Sequence, residues 1–368
     1  MIVDRRSFVT LLTAAASSLL YGCKSSGAAG KLGIPGLFPG RVVSVHHSGS
    51  HTGGEFQLEP IRSMMRRGMV DLTGAPDWIA AWRLFFERGD VVGIKVNPVG
   101  WPDVISCAEV LREIIAGLNQ AGVNNQDIVI YDRYRRQFLR AGFQNWLPDG
   151  VRQDWAVEDY DGIQLGMEGY DPEHYMEMAL TQPGQDAHDP HVRRSYVAQF
   201  LTRRVNKLIN LPVLKHHQSA GVTLALKNLS HGLVNNVCRS HSSSTLNACG
   251  IFIPAVVNLP VIREKTVLHV LDGILGMYHG GPGGRNGKYL WAHHTLYFAT
   301  DPVALDKTGW QVLDAKRAEK GMTPVALSRP DEDSHFLNCQ PEHVEIAGAL
   351  GLGVWDDKKI DRRILDLG

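Results

Sequence analysis

The residues of this 368-residue chain that are best suited to catalysis or ligand binding are histidines and lysines that follow short apolar runs. Lys215, His216 and His217 end one run, and Lys227 and His231 stand four residues apart just after it. Residues four apart share one face of a helix. Imidazole serves as a general base or a metal ligand near neutral pH, and an ammonium group holds a carboxylate or a phosphate. We therefore assign His216, His217, Lys227 and His231 as candidate catalytic residues.

Polar residues also follow the other apolar runs that predict strands. These runs and their polar ends are Val42–Val45 with His46-His47, Val91–Val96 with Lys95 and Asn97, Ile128–Tyr131 with Asp132-Arg133, Lys207–Leu214 with Lys215, Thr266–Leu271 with Asp272, and Thr295–Ala299 with Asp301. In open parallel sheets, ligands bind beyond the carboxyl ends of the strands. All six ends would then converge on one rim of the sheet.

This convergence defines the remaining candidate residues. The predicted ligand-binding residues are Lys95, Asn97, Lys215, Asn228, Asp272 and Asp301, and the predicted metal ligands are His46 and His47. Two plainer interpretations stay open. Asp272 and Asp301 fit turn formation or helix capping, and Lys227 and His231 fit the solvent face of an ordinary helix.

The strand and helix patterns around these residues predict an α/β protein with a mainly parallel sheet and helices on both faces. Runs that are apolar throughout are typical of strands covered on both sides. Helical spacing of apolar residues predicts helices over Ala75–Arg88, Cys107–Ala121 and Val303–Arg317, the last with Asp301 as its N-cap. An acidic, irregular insertion at 148–191 is either a lid or an inert surface loop. We expect one domain over 41–330, with a C-terminal extension at 331–368 packed on it.

The N-terminus is typical of an export signal. Arg5-Arg6 precede a short, Ala- and Ser-rich apolar stretch, and this pattern resembles a twin-arginine signal. We interpret residues 1–23 as that signal and residues 24–40 as a linker. Residues 20–23 (LYGC) also resemble a lipoprotein processing box, in which Cys23 is acylated, and cleavage near Ala28-Ala29 is the alternative. The expected location is the periplasm, free or anchored, with membrane contact only through a lipid on Cys23.

Composition narrows the function classes. The chain has 38 basic residues (Lys and Arg) and 38 acidic residues (Asp and Glu). It therefore has no excess of positive charge that would favour nucleic-acid binding. A hydrophobic fraction of 44% with 21% charged residues predicts a well-buried globular protein. The chain has no nucleophile elbow, zincin motif or ferredoxin-type cysteine run. No iron–sulfur cluster is therefore expected, and a divalent metal stays open.

Three smaller features leave alternatives open. Cys238-x-x-His241 followed by Cys249 offers metal ligands, although a disulfide or small buried residues explain it as well. The glycine-rich run 279–287, with Arg285, is either a flexible loop or an anion cradle. Pairing among Cys107, Cys238, Cys249 and Cys339 is undecided. His293-His294, which precedes a strand assumed to be parallel, is left out of the site.

Longer motifs resemble one protein family. They are residues 89–97 (GDVVGIKVN), 209–217 with 221–229 (INLPVLKHH and GVTLALKNL), 272–274 (DGI) and 301–306 (DPVALD). Together they are similar to domain of unknown function 362, and the second motif is the most specific. Members often carry a ferredoxin-like iron–sulfur module, whose cysteines this chain lacks. More distantly, the His-rich turn and the lysine segment are similar to the nickel-pincer lactate racemase superfamily, in which histidines and a lysine hold an organometallic cofactor.

Taken together, the sequence predicts an exported α/β protein that binds a small anionic ligand, cofactor or metal at the strand-end rim. In an enzymatic version, the histidines would act as ligands or general bases, and the lysines would hold a carboxylate or phosphate. The alternative is a non-catalytic periplasmic lipoprotein that binds a ligand or assists assembly. The cofactor is unknown at this stage.

Overall fold

The computed structural model describes residues 32–283 and 287–368. Within these ranges the strands are β1 Arg41–His46, β2 His51–Thr52, β3 Glu55–Phe56, β4 Val92–Lys95, β5 Ile128–Tyr131, β6 Arg152–Asp154, β7 Tyr170–Glu177, β8 Arg194–Ala198, β9 Lys207–Asn210, β10 Val213–His217, β11 Gly221–Val222, β12 Thr266–Met277, β13 Leu290–Ala299 and β14 Asp361–Asp366. The helices are α1 Leu58–Thr73, α2 Trp78–Arg83, α3 Ala108–Ala121, α4 Arg135–Arg140, α5 Pro190–Arg193, α6 Leu224–Leu233, α7 Cys249–Val257, α8 Pro260–Lys265, α9 Pro302–Glu319 and α10 His343–Ala349.

A ten-stranded sheet forms the centre of the fold. Its strand order is β14-β1-β13-β12-β9-β4-β5-β6, with β10 paired to the far part of β12 and to β11. Six of its pairings are parallel and three are antiparallel. The predicted α/β fold with a mainly parallel sheet is confirmed.

Helices cover both faces of this sheet, because the central strands are apolar on both sides. Ile94 of β4 packs in one core with Met65 of α1 and Ile114 of α3. Leu208 of β9 packs in the other core with Leu229 of α6. Buried side chains of α7, α9 and α10 belong to the same core. Side chains alternate along a strand, so consecutive residues of one run feed two separate cores.

The direction of β13 corrects one expectation. β13 runs antiparallel to both β12 and β1, so its carboxyl end lies at the edge of the sheet opposite to the rim. Asp301 there accepts hydrogen bonds from the backbone N–H groups of Gly40, Val303, Ala304 and Val354, at 2.8–2.9 Å. The prediction of Asp301 as a rim residue is wrong, while its prediction as an N-cap is confirmed.

Other boundaries shift for local reasons. The predicted helix Ala75–Arg88 begins only at Trp78, where the Asp77 side chain accepts a hydrogen bond from the backbone of Ala80. The predicted strand Lys207–Leu214 divides into β9 and β10 around Pro212, which cannot donate to a ladder. Helix α1 has no counterpart in the sequence prediction.

The described residues also bear on the termini and the cysteines. The proposed signal and residues 24–31 of the linker lie outside the described residues, as does Arg285. In the part of the chain that the structure covers, no helix is long and apolar enough to cross a membrane. Cys107, Cys238, Cys249 and Cys339 are all free thiols there. The C-terminal segment contributes β14, which pairs in parallel with β1 at the edge of the sheet.

Candidate functional site

A cavity of about 240 Å³ opens at the carboxyl ends of β4, β5 and β10 and against one face of α6. Seven of the twelve predicted site residues line it, namely Lys95, Asn97, Lys215, His217, Lys227, Asn228 and His231. Parallel β4 and β5 end side by side, and the spacing of four residues brings Lys227 and His231 to the same wall. The strand-end rule and the helix periodicity thus place these seven residues together.

The floor of the cavity is a closed network around Lys95. The Lys95 Nζ donates to Asp132 Oδ1 at 2.6 Å, to the Val96 carbonyl at 2.6 Å and to Asn228 Oδ1 at 3.2 Å. Asn97 Nδ2 donates to the same Asn228 oxygen at 3.1 Å. Gly232 of α6 allows this approach, because a Cβ there would collide with the Lys95 side chain. Lys95 is therefore a neutralised structural cation.

Three further cations of the cavity wall have no carboxylate partner among the described residues. Lys215 donates to Asn97 Oδ1 at 2.9 Å and to the Val104 carbonyl at 3.2 Å. Burial, together with the nearby charges of Lys95 and Lys227, lowers the pKa of Lys215 well below its usual value.

Arg133 is the second of these cations and is 3% exposed. Its donors reach the Tyr170 hydroxyl at 2.9 Å and Gln164 Oε1 at 3.1 Å. A further guanidinium nitrogen donates to the His231 carbonyl at 3.5 Å. All three acceptors are neutral oxygens, so no carboxylate compensates the charge at the cavity wall.

Lys227 is the third cation, and its Nζ has no hydrogen-bond partner in the described part of the chain. It is 5% exposed and lines the cavity. Burial lowers its pKa to about 8. Asp306 fixes the helix that carries Lys227, since its carboxylate accepts hydrogen bonds from the N–H groups of Ala225 and Leu226 at 2.7 and 2.9 Å. The ammonium is thus held in place without being neutralised.

His217 has a defined proton position. Its Nδ1 accepts from the backbone N–H groups of Ser219 and Ala220 at 3.2 and 3.3 Å, so in the neutral ring Nε2 carries the hydrogen. Burial, and then the positive charge of Lys227, lowers the pKa of His217 well below 6.5. At neutral pH His217 therefore offers an N–H donor to the cavity.

Two more histidines complete this wall. His241 stacks on His217 with ring centroids 6.0 Å apart and meets His231 edge-on at 5.3 Å. The ring nitrogens of His231 lie 3.0 Å from the hydroxyls of Ser230 and Ser240. Burial and then Lys227 lower the pKa of His241 to about 3. All three rings are neutral at pH 7, and Lys227 is one of the reasons.

Two predicted residues near the rim, His216 and Asp272, fall outside the cavity. His216 alternates to the other face of β10, where its ring lies 5.2 Å from that of His279. Asp272 accepts hydrogen bonds from the N–H groups of Cys107 at the start of α3 and of Ile274, at 2.9 and 3.2 Å. Thus the capping interpretation fits Asp272, and the prediction that His216 and Asp272 lie in one pocket with the other candidates is wrong.

His46 and His47 also stand apart from the cavity. β13 and β12 lie between β1 and β9, so the distance from β1 to β9 is roughly 14 Å at the usual strand spacing. His46 Nδ1 lies 3.0 Å from Asp366, and His47 Nδ1 accepts from the Gly49 N–H at 3.1 Å. Because β13 is antiparallel, His294 joins them, with its ring 6.1 Å from that of His46. Among the described residues no group of three or more metal-ligating side chains is arranged to hold an ion.

Several lining residues were not among the predicted site residues, although the sequence had already indicated Cys238 and His241 as possible metal ligands. They are Asp132, Arg133, Tyr160, Gln164, Cys238 and His241. Asp132 and Arg133 follow β5 and obey the same strand-end rule, so that signal was available. Tyr160 and Gln164 come from the insertion at 148–191, whose Gln164 Oε1 also accepts from the N–H of Val237 at 3.0 Å. The insertion therefore builds part of the cavity wall, and no local pattern shows that.

Comparison with known proteins covers the same region. A family model described as domain of unknown function (DUF362) matches residues 92–311. This range contains every residue that lines the cavity. No curated protein matches the chain.

Proposed function

This chain belongs to the DUF362 family, and we propose from its cavity that it binds a small anionic molecule, a carboxylate or a phosphate, at the strand-end rim. The observation that carries this proposal is the charge of the wall. Among the described residues, Lys95, Lys215, Lys227 and Arg133 line the cavity together with a single carboxylate, that of Asp132.

The energetics favour an anionic ligand. A buried charge without a partner costs several kcal/mol, and a partner of opposite sign recovers much of this cost. An anion between Lys215, Lys227 and Arg133 would gain hydrogen bonds to charged donors in a site of low dielectric. The cavity volume of about 240 Å³ lies just below the range of drug-sized pockets, roughly 300–1,000 Å³. The proposed ligand is therefore a molecule of only a few heavy atoms.

Ligand-dependent stabilisation tests the proposal. Phosphate, pyruvate and lactate should each be titrated against the protein at fixed ionic strength, with chloride as the reference anion. We expect at least one of them to raise the melting temperature, because a ligand that binds only the folded state stabilises it. Lys227→Met and Lys215→Met should remove the shift, while Lys358→Met, at an exposed position, should keep it. Equal shifts in all four proteins would contradict the proposal.

The export route and the anchor belong to the same proposal. Replacing Arg5 and Arg6 together by Lys should retain the chain in the cytoplasm, and Cys23→Ser should release the mature protein from the membrane fraction. Cell fractionation with an antibody against the chain measures both. Normal export of the paired lysine variant would exclude the twin-arginine route, and unchanged attachment of the serine variant would exclude lipidation.

A divalent metal remains a prediction for His46 and His47. Elemental analysis of protein purified without a histidine tag would show a stoichiometric ion if they hold one, and His46→Ala should then lose it. A non-catalytic binding or assembly role stays the alternative to an enzyme, and turnover of a bound anion would separate the two.

A further inference from the structure

We propose that Lys227 forms an imine with the carbonyl carbon of a 2-oxo acid whose carboxylate lies between Lys215 and Arg133. This inference rests on the proposed function, because it names the class of anion that the cavity takes. It adds a covalent step by a residue of this chain.

The surroundings of Lys227 distinguish it from the other lysines of the cavity. Lys95 is bound to Asp132 and Asn228, and Lys215 is bound to Asn97 and Val104. Lys227 alone among them has its Nζ without a hydrogen-bond partner in the described residues, although it is nearly fully buried. A lysine that is desolvated beside other cations is the usual form of an amine nucleophile. Lys227 meets both conditions.

The proton balance of the site supports the same reaction. Burial lowers the pKa of Lys227 to about 8, so roughly a tenth of it is free amine at pH 7. The three histidines beside it are neutral, and His217 offers an Nε2–H donor, since its Nδ1 accepts from the backbone. A neutral imidazole can stabilise the oxygen of a reacting carbonyl by hydrogen bonding. The wall therefore supplies a nucleophile and a donor for the oxygen.

The remaining cations select the substrate class. Lys215 and Arg133 present N–H donors in the same cavity as Lys227, and a bound anion would favour the charged form of Lys215. A carboxylate bound by them would bring the adjacent carbonyl carbon of a small 2-oxo acid toward Nζ. A carboxylate without a carbonyl group would use the same anion contacts but could not react.

The reaction balances without an oxidant or reductant. The lone pair of the Lys227 amine forms a C–N bond as the carbonyl π pair moves to oxygen. One proton passes from nitrogen to that oxygen and gives a carbinolamine. A second proton transfer from nitrogen to the hydroxyl group then releases water and leaves the C=N bond. The products are one imine and one water.

Borohydride trapping tests the inference on the full chain. Glyoxylate, pyruvate and 2-oxoglutarate are each incubated with the protein, reduced with sodium borohydride and analysed by mass spectrometry. We expect one of them to give a single reduced adduct, mapped to the peptide that contains Lys227. The yield should rise with pH around 8. Adducts spread over surface lysines, or located at Lys215, would overturn the inference.

Variants and paired ligands separate this inference from the proposed function. Lys227→Arg keeps the positive charge but has no nucleophilic amine, so it should lose the adduct at least tenfold. Glycolate, lactate and 2-hydroxyglutarate should raise the melting temperature as their 2-oxo partners do, without trapping. Binding of both series with no adduct would overturn the imine and leave the anion site standing. Binding of neither series would overturn both.

Discussion

His216 and His217 are neighbours on β10. Comparing the two sides of that strand shows what distinguishes a buried histidine that can contact a ligand from one that only packs in the core. Both rings are almost fully buried, and burial lowers both pKa values well below 6.5. His217 faces a cavity with unpaired cations. His216 faces a closed cluster around His279 and Arg317. Burial and pKa direction are thus the same on the two sides, and only the cavity distinguishes them.

The two sides also differ in how their cations are satisfied. Arg317 is 1% exposed and donates to the carbonyls of Thr323 and Tyr278 at 2.8 and 3.2 Å, and to the Ser328 hydroxyl at 2.9 Å. Lys227 has no such partners in the described residues. A satisfied buried cation stabilises the fold, whereas an unsatisfied one is a cost that a ligand can remove. This difference predicts opposite responses to substitution.

The largest effect is expected on the closed side. Arg317→Met should lower the free energy of unfolding by about 3 kcal/mol, because it leaves two buried carbonyls without donors. Chemical denaturation measures this loss. Anion binding to the folded variant should be unchanged, since Arg317 does not line the cavity. A loss of binding in the folded variant would show that the two sides are coupled.

The next largest effect is expected for a substitution on the cavity side, and it should increase the free energy of unfolding rather than lower it. Lys227→Met should raise the free energy of unfolding of the ligand-free protein at pH 7 by about 1–3 kcal/mol, because it replaces an unpaired buried charge. Folding lowers the pKa of Lys227 from its unfolded value to about 8, so the unfolded state binds more protons between pH 8 and 10.5. Stability of the native protein should therefore rise with pH across that window.

The contrast between native and substituted protein checks this assignment. The rise should be smaller in Lys227→Met than in the native protein, because only the contribution of Lys215 remains, and it should be unchanged in Lys358→Met, in denaturation curves recorded from pH 7 to 10.5. A native protein whose stability is flat across this window would mean that Lys227 has a partner in solution.

The smallest effects sharpen the comparison within the histidine pair itself. Both ring nitrogens of His216 lack partners within the described ranges, so His216→Met should raise the free energy of unfolding by about 1 kcal/mol and keep anion binding. His217→Met leaves the amides of Ser219 and Ala220 without an acceptor and should lower it by about 1 kcal/mol and weaken binding. Similar outcomes for both variants would contradict the division into two sides.

Acid titration gives the same pair a second readout. Folding lowers the pKa of His216 below its unfolded value near 6.5, so the unfolded state binds more protons than the folded state below pH 6.5, and the free energy of unfolding falls with the pH there. Removing His216 should therefore reduce the loss of stability between pH 6.5 and 5, as measured by urea denaturation at each pH.

Local sequence patterns were enough for most of the architecture. The apolar run Ile128–Tyr131 is β5 without a change of boundary, and the predicted helix Cys107–Ala121 differs from α3 by one residue. The spacing of Lys227 and His231 on α6 also placed both at one wall. These features depend on periodicity within one element, and a short window of sequence contains it.

Three features were decided by the tertiary structure alone: the direction of β13, the side of β10 on which the cavity forms, and the elements that close the cavity. The apolar content of Thr295–Ala299 is the same for either strand direction, so only the antiparallel pairing of β13 could move Asp301 away from the rim and bring His294 to it. Alternation along β10 requires His216 and His217 to face opposite sides, but the cavity forms on one of them because α6 and the distant insertion close over it. The unpaired state of Lys227 follows from contacts between residues far apart in the chain, and no local pattern encodes them.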